Sequence, residues 1–204
     1  MKKKRFFPLY CLLALLLGGV LAIYRMPWGF ARQVSAGEEA LRLEVVQTAE
    51  SWLGANEKDG THREIIDIYN AHTPLARGYK VTYEDAWCAA FESVVAIRCG
   101  LTDIIPVECG CDPQIALFQE LDCWEEADDY APLPGDYIFY HWDCLELEDC
   151  MASTDHVGIV VGTAGRFIKV IEGNKDDDVS YRITMVNAPG IRGYGVPNYG
   201  GVSL

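Results

Sequence analysis

The chain has 204 residues, of which 50% are hydrophobic and 23% charged, so it is long enough and apolar enough for one domain with a buried core. Five of its 17 basic residues and none of its 30 acidic residues lie within residues 1–30, which leaves a formal net charge of −18 on residues 31–204. Such an acidic surface repels DNA, RNA and other polyanions, and this excludes nucleic acid as a partner.

The N-terminal residues are typical of a membrane-targeting signal. A basic start, Lys2–Arg5, is followed by Phe6–Tyr24, an apolar run of 19 residues without an ionised side chain. Secretory signal cores are usually about 7–15 residues long and spanning helices about 20, so the run predicts one transmembrane helix. The positive end should stay in the cytoplasm and the rest of the chain should lie outside the cell.

This pattern divides the chain into a cytoplasmic start plus signal anchor (residues 1–30), a linker (31–36) and one globular domain (37–204). Val34-Ser35-Ala36 is similar to a cleavage site, and cleavage there would make the domain a secreted protein. Its distance from the apolar run favours an uncleaved, single-pass anchor. Pro8 and the basic start argue against a cytoplasmic protein with a buried N-terminal helix.

Apolar periodicity predicts four helices in the first part of the domain. In the first of them Leu41, Val45 and Ala49 recur every four residues and share one face. Asp85 is a favourable N-cap for the third helix, and Gly100 is a natural end for it. The predicted helices cover residues 37–53, 62–71 and 86–98 and a segment that opens at Asp112-Pro113.

From Pro132 onward the pattern changes to short β-rich runs separated by turns. Pro134-Gly135-Asp136 is predicted to be the turn before the first strand. The predicted strands cover residues 137–142, 156–161, 167–172 and 180–186, with an added edge strand at 191–196. Helices followed by an antiparallel meander predict an α+β fold in which N-terminal helices pack on an antiparallel β-sheet.

Seven of the eight cysteines lie beyond the predicted anchor, which contains Cys11. Exported cysteines are mostly paired, but an odd number leaves at least one thiol without a partner in a monomer. If Cys88 is that thiol, the other six are available for disulfides, and the sequence does not choose among the pairings. These six are Cys99, Cys109, Cys111, Cys123, Cys144 and Cys150. Cys109 and Cys111 are too close for an easy mutual disulfide, so each is expected to pair with a distant cysteine such as Cys123, Cys144 or Cys150.

Cys88 is the candidate nucleophile. With Asp85 as N-cap it would be the third residue of its helix, where exposed N–H groups and the helix dipole stabilise a thiolate. The alternative is a structural cysteine in a disulfide, the usual state of an exported cysteine. The odd cysteine count and the position at a helix start argue against that alternative.

His156 and Glu172 are predicted to face each other across a hairpin centred on Ala164. In a regular antiparallel hairpin about that centre the two residues are directly opposed, with Cβ atoms about 4.5–5.5 Å apart. The glutamate would accept a hydrogen bond from the imidazole and fix its tautomer. A single bulge would break this register, and a surface His–Glu pair is the alternative interpretation.

The face that carries His156 and Glu172 also carries Gly158, Val160, Ile168 and Val170. This apolar floor is expected to receive the Cys88 helix and so to bring the thiol to the imidazole.

Asn174 is predicted to point to the same side as Glu172, where it would orient the imidazole or polarise a substrate carbonyl. An asparagine before an acidic loop is equally good turn chemistry.

No metal or cofactor is predicted. The run Asp176-Asp177-Asp178 is interpreted as a solvated acidic turn rather than a calcium site. Cys109-Gly110-Cys111 with Cys144 and Cys150 suits disulfides better than zinc in an exported chain.

Four segments in this order resemble the CHAP family, the cysteine, histidine-dependent amidohydrolases/peptidases. They are Trp87-Cys88-Ala89-Ala90-Phe91, Pro134-Gly135-Asp136-Tyr137-Ile138-Phe139-Tyr140, Asp155-His156-Val157-Gly158-Ile159-Val160 and Ile171-Glu172-Gly173-Asn174. The resemblance covers about residues 37–199. Many CHAP domains carry glutamine where this chain has Trp87, and the segment 142–154 is longer than usual.

The resemblance implies a papain-like (NlpC/P60-like) fold and hydrolysis of an amide or peptide bond in bacterial peptidoglycan. It implies Cys88 as nucleophile, His156 as general base, Glu172 as the residue that orients it and Asn174 as an assisting residue. The expected partners are peptidoglycan or its stem peptides, and the membrane through the N-terminal helix. The alternatives are a catalytically inactive wall-binding or scaffolding module and an enzyme that acts on protein substrates.

Overall fold

A computed structural model describes residues 26–142 and 154–202 of the chain. The fold is α+β, as the sequence predicts, and it has four α-helices and six strands within these residues. The helices are α1 (Ala36–Glu50), α2 (Arg63–Ala71), α3 (Cys88–Cys99) and α4 (Cys111–Glu120). The strands are β1 (Trp124–Glu125), β2 (Tyr137–Tyr140), β3 (His156–Ala164), β4 (Phe167–Lys175), β5 (Asp178–Met185) and β6 (Ile191–Gly195).

The described strands form one antiparallel sheet with the order β1-β6-β2-β3-β4-β5. Strands β2 to β5 follow one another as a meander, and β6 returns to pair with β2. The strand predicted at the edge, β6, therefore lies inside the sheet, between β2 and the two-residue strand β1.

The β3–β4 hairpin is tighter than predicted. Ala164 pairs with Phe167, so that only Gly165 and Arg166 form the turn, and the register shifts between Val160 and Gly162. Beyond this irregularity Val160 pairs with Val170 and Ile159 with Ile171, a register that places Gly158, not His156, opposite Glu172. The predicted direct opposition of His156 and Glu172 is therefore wrong by two residues. Because a shift of two preserves the side of the sheet, the two residues still share one face.

Apolar side chains cover both faces of the sheet. On one face Val157, Ile159 and Ile171 pack in the same cluster as α3. Gly173 allows the close approach, since a Cβ there would lie 2.5 Å from Phe91 Cβ. The residues predicted as the floor for the Cys88 helix instead lie on the opposite face, where they form a second cluster with β2 and β6: Val160, Ile168 and Val170 with Ile138, Tyr140 and Tyr194.

A buried ion pair joins α1 to the turn before β2. Arg42 Nη1 donates to Asp136 Oδ1 at 2.7 Å and to the Pro134 carbonyl oxygen at 3.0 Å. The Tyr130 hydroxyl donates to the second oxygen of the same carboxylate at 2.8 Å. The Pro134-Gly135-Asp136 segment is thus held against the helix layer by charge as well as by packing.

Residues 26–142 and 154–202 include no helix that is long and apolar enough to cross a membrane. The predicted anchor, Phe6–Tyr24, lies outside the described residues, as do Cys144 and Cys150. The end of the predicted start-plus-anchor segment (residues 1–30) lies beside the domain, because Gly29 forms a two-hydrogen-bond bridge with Thr163 of β3 at N–O distances of 3.0 and 2.9 Å.

Candidate active site

Cys88 is the first residue of α3 and is 6% exposed. The N-cap of this helix is Trp87 and not Asp85, the predicted cap. The Asp85 carboxylate instead accepts hydrogen bonds from the Thr82 backbone N–H at 2.7 Å and the Tyr79 hydroxyl at 2.9 Å. Cys88 is therefore two positions closer to the helix start than expected, within the turn whose free N–H groups favour a thiolate.

Cys111, the first residue of α4, lies next to Cys88. Their Sγ atoms are 3.7 Å apart and Cys111 is 8% exposed. A hydrogen bond from the Cys111 thiol is the largest cause that lowers the pKa of Cys88 well below its ordinary value, although burial opposes it. The pKa of Cys111 is raised by the same contact and by burial. The two directions favour the thiolate on Cys88 and the proton on Cys111.

His156, the first residue of β3, joins the thiol to the carboxylate. Its Nε2 lies 3.2 Å from Glu172 Oε2, and the imidazole also interacts with the Cys88 thiol. Burial lowers the pKa of His156, but interactions with Cys88 and Glu172 outweigh it and raise the pKa to about 9. In turn, the imidazole contributes to the lowered pKa of Cys88. The opposite directions of the two pKa shifts favour a thiolate–imidazolium pair at Cys88 and His156.

Glu172 is fully buried and is held from two sides. Its Oε2 faces His156, and its Oε1 accepts a hydrogen bond from Arg182 Nε at 2.6 Å. Burial raises the pKa of Glu172, but His156 and Arg182 outweigh that effect and leave the pKa below its ordinary value. The group is thus a carboxylate that fixes the orientation of the imidazole.

Arg182 is one of three residues around the imidazole that the sequence analysis missed. The other two are Tyr140 and Trp142, whose stacked rings have centroids 4.7 Å apart. The Trp142 centroid is 6.0 Å from that of His156, and Arg182 Cζ lies 4.6 Å from the Trp142 centroid. Trp142 is 44% exposed, so it forms an open aromatic wall beside the imidazole. Alternation along β5 could have predicted the side of the sheet on which Arg182 lies. Ser180 pairs with Glu172, and Arg182 is two residues further on, so its side chain lies on the same face of the sheet.

Asn174 lies away from the imidazole hydrogen bond. It lies within the register break between Glu172 and Lys175 and adopts a positive φ of 56°. Its Nδ2 donates to Glu57 Oε1 at 3.4 Å. The amide of Asn174, which was predicted to assist His156, is therefore turned toward the Glu57 carboxylate.

Trp87, like Asn174, donates a hydrogen bond to Glu57. Its indole Nε1 donates to Glu57 Oε1 at 3.0 Å, and the side chain is fully buried. The indole N–H that stands where many CHAP domains carry glutamine is thus already hydrogen-bonded. The backbone N–H groups that begin α3 lie beside Cys88 and can serve as donors for an oxyanion.

Glu92 lies one helical turn after Cys88 and is fully buried. Neither of its carboxylate oxygens has a hydrogen-bond partner within the described part of the chain. Burial, and then the charges of Cys88 and Glu172, raise its pKa well above the ordinary value. Burial without a hydrogen-bond partner therefore favours the neutral acid form of Glu92 in the helix that carries Cys88.

Five cysteines lie within the described residues, and none is joined to another in a disulfide: Cys88, Cys99, Cys109, Cys111 and Cys123. The expected pairing of Cys109 or Cys111 with Cys123 is therefore not formed. Pairings with Cys144 or Cys150 lie outside the described residues. Nor do the residues that the structure describes include a group of three or more His, Cys, Asp or Glu side chains placed to hold a metal ion.

No protein-family model, no curated protein and no solved structure matches this chain. The CHAP resemblance therefore stays a prediction from four short segments. The chemistry of the site depends on the arrangement of its own side chains, a Cys88 thiolate, a His156 imidazolium and a buried Glu172 carboxylate.

Proposed function

We propose that this protein is a cysteine hydrolase that cleaves an amide or peptide bond of bacterial peptidoglycan. One observation carries the proposal: Cys88, at a helix start, has a lowered pKa because of its neighbours, and His156 beside it is held by a buried carboxylate. A thiolate beside an oriented imidazole is the catalytic arrangement of thiol hydrolases.

The reaction follows from these groups. The Cys88 thiolate attacks the carbonyl carbon, and the N–H groups at the start of α3 stabilise the resulting oxyanion. The His156 imidazolium then donates its proton to the leaving nitrogen as the C–N bond breaks, which leaves an acyl-enzyme. Neutral His156 next takes a proton from water, and the hydroxide releases the product carboxylate and restores the thiolate.

The substrate class rests on the resemblance of four segments to CHAP domains and on the predicted location. A domain that an anchor holds outside the cell would meet the wall directly. The formal charge of −18 on residues 31–204 would not attract the domain to anionic wall polymers, so the anchor would supply the localisation. A papain-like arrangement is part of the proposal, since the nucleophile opens a helix and the His and Glu residues come from adjacent strands.

The test is digestion of purified cell walls by the full chain, followed by mass spectrometry of the products. We expect new amine and carboxylate ends in equal number, and we expect Cys88→Ala to abolish their release. Cys99→Ala is the matched control, because it removes a partly buried thiol from the opposite end of the same helix. Full activity of Cys88→Ala would overturn the proposal.

The second candidate is an inactive wall-binding or scaffolding module. The observation in its favour is that the Trp87 indole is bound to Glu57, so it is not offered to an oxyanion. Under this alternative the wild type and Cys88→Ala would bind walls equally and release no fragments. Alkylation of Cys88 that is rapid at neutral pH and slowed by His156→Ala would argue for the hydrolase, since a scaffold needs no activated thiol.

A further inference from the structure

We propose that Cys88 and Cys111 form a reversible disulfide that switches the candidate active site off under oxidising conditions. The effect on activity rests on the proposed hydrolase function, whereas formation of the bond does not. The two Sγ atoms lie 3.7 Å apart, although the residues are 23 positions apart in sequence. Because a disulfide bond is about 2 Å long, the sulfurs need to approach by less than about 2 Å.

The pair has the chemical asymmetry that a redox switch requires. Cys88 is the thiolate, the form that attacks an oxidant, and Cys111 holds the proton and would act as the resolving thiol. In the predicted location outside the cell the conditions favour the disulfide, and return to the thiolate needs a dithiol reductant supplied there.

The oxidation balances with hydrogen peroxide as the oxidant. The Cys88 thiolate attacks one peroxide oxygen, so that an S–O bond forms, the O–O bond breaks and hydroxide leaves. Cys88 is thereby oxidised by two electrons to a sulfenic acid. Cys111 sulfur then attacks the Cys88 sulfur, the S–S bond forms and the S–O bond breaks, and the leaving hydroxide takes the Cys111 proton as water. A dithiol reverses the step by thiol–disulfide exchange.

Two of the other described cysteines, Cys99 and Cys109, form hydrogen bonds elsewhere. Cys109 Sγ accepts a hydrogen bond from Arg77 Nη2 at 3.5 Å, and Cys99 Sγ donates to Thr48 Oγ1 at 3.3 Å. Cys88 and Cys111 instead open two different helices with their thiols turned toward each other. A bond between them would remove the nucleophile and also join the start of α3 to the start of α4.

The test starts from the full chain, reduced and then freed of the reductant. After treatment with hydrogen peroxide the remaining thiols are alkylated, and the unreduced digest is mapped by mass spectrometry. We expect a cross-linked peptide pair that contains Cys88 and Cys111, together with a loss of wall hydrolysis of at least about tenfold. Dithiothreitol should remove the cross-link and restore the activity.

Two variants sharpen the test, and each is compared with its own reduced form. Cys111→Ser should give no cross-link at Cys88, and peroxide should drive Cys88 to the sulfinic acid, so that dithiothreitol no longer restores activity. Cys109→Ser is the matched control, because it removes a thiol two residues away and should keep both the cross-link and the recovery.

A cross-link from Cys111 to Cys109, Cys144 or Cys150, with Cys88 left alkylated, would overturn the proposal. So would oxidation of Cys88 that leaves Cys111 fully alkylated. If the reduced wild type shows no wall hydrolysis but the Cys88–Cys111 cross-link forms, the hydrolase function fails and the redox pair stands. The two proposals are therefore separated by the same experiment.

Discussion

Gly158 leaves the space that the side chain of Glu172 occupies. A Cβ at position 158 would lie 2.7 Å from Glu172 Cγ and 2.6 Å from Val170 Cγ1. His156 is two residues before Gly158 on the same strand, so Glu172 reaches diagonally past the glycine to His156 Nε2 at 3.2 Å. The hairpin therefore forms the His–Glu hydrogen bond although the two residues are not directly opposed.

We expect Gly158→Ala to reduce wall hydrolysis by at least about tenfold, since a methyl group there displaces the Glu172 side chain. The same clash should lower the free energy of unfolding by about 1–3 kcal/mol, as overpacking of a core usually does. Gly29→Ala is the control, because a Cβ at position 29 meets no atom within 4 Å. Activity and denaturant midpoints are compared for both variants, and wild-type activity in Gly158→Ala would contradict this account of the hairpin.

Arg182 should act as a positioning residue through Glu172. Arg182→Ala removes a charged hydrogen bond of 2.6 Å from the buried carboxylate, an interaction usually worth about 1.5–3 kcal/mol. We expect kcat to fall about 10- to 100-fold with a smaller change in KM, because the imidazole loses its fixed orientation. The pKa of Glu172 should also rise, since Arg182 is one of the groups that lower it.

Arg192→Ala is the matched control for Arg182→Ala. Arg192 also forms a 2.6 Å ion pair, with Glu126, and also lies over a tryptophan ring, that of Trp124. It has no contact with His156 or Glu172, so we expect activity to change less than about twofold. Equal losses in the two variants would show that arginine removal acts through stability and not through the imidazole.

The thiolate–imidazolium pair predicts a particular pH profile. The pKa of Cys88 is lowered and that of His156 is raised to about 9, so the ionised pair is expected to persist up to about pH 9. Above that pH the imidazolium loses the proton that the leaving nitrogen needs, and kcat/KM should fall. Glu172→Gln should move this alkaline limb to lower pH, because it removes a carboxylate that raises the pKa of His156.

The profile is measured as wall hydrolysis and, independently, as the rate of Cys88 alkylation against pH. Glu126→Gln is the control, since it neutralises a carboxylate that is bonded to Arg192 rather than to His156. An alkaline limb that stays in place in Glu172→Gln would mean that Glu172 does not set the titration of His156.

Alternation along the strands was enough to place His156 and Glu172 on one face, because a register error of two residues does not change the face. It was not enough to choose the face that receives α3. Both faces of the β3–β4 hairpin are apolar, with Val157 and Ile159 on one side and Val160 and Val170 on the other. A hydrophobic pattern of period two does not distinguish between two apolar faces. Helix α3 packs on the Val157 and Ile159 face, opposite to the predicted one.

The contacts of Cys111 and Arg182 with the site could not be predicted from any local sequence pattern. Cys111 reaches Cys88 because α4 begins beside the start of α3, and Arg182 reaches Glu172 because β5 pairs with β4 in a particular register. Both contacts depend on packing between elements that are separate in the sequence. The nucleophile and its base could be predicted from motifs, whereas the groups that set their ionisation could not.

Glu92 should make the stability of the fold depend on pH. Its buried carboxyl has no hydrogen-bond partner among the described residues and has a raised pKa, so the folded protein keeps a proton that the unfolded chain releases above about pH 4.5. The free energy of unfolding should therefore fall as the pH rises from there, by about 1.4 kcal/mol per pH unit, until the pKa of the folded state is passed. Glu92→Gln should abolish this contribution, so its advantage over the wild type should grow with pH in chemical denaturation.

Since the amide is neutral like the protonated acid, wall hydrolysis should stay within about threefold of the wild type. Glu64→Gln is the matched control, because it makes the same change at an exposed carboxylate that lies 3.9 Å from Arg98 and should alter stability little. A constant difference for Glu92→Gln would mean that Glu92 is ionised in the folded protein. In that case two negative charges, at positions 88 and 92, would lie one helical turn apart, and the lowered pKa of Cys88 would have to depend more strongly on Cys111 and His156.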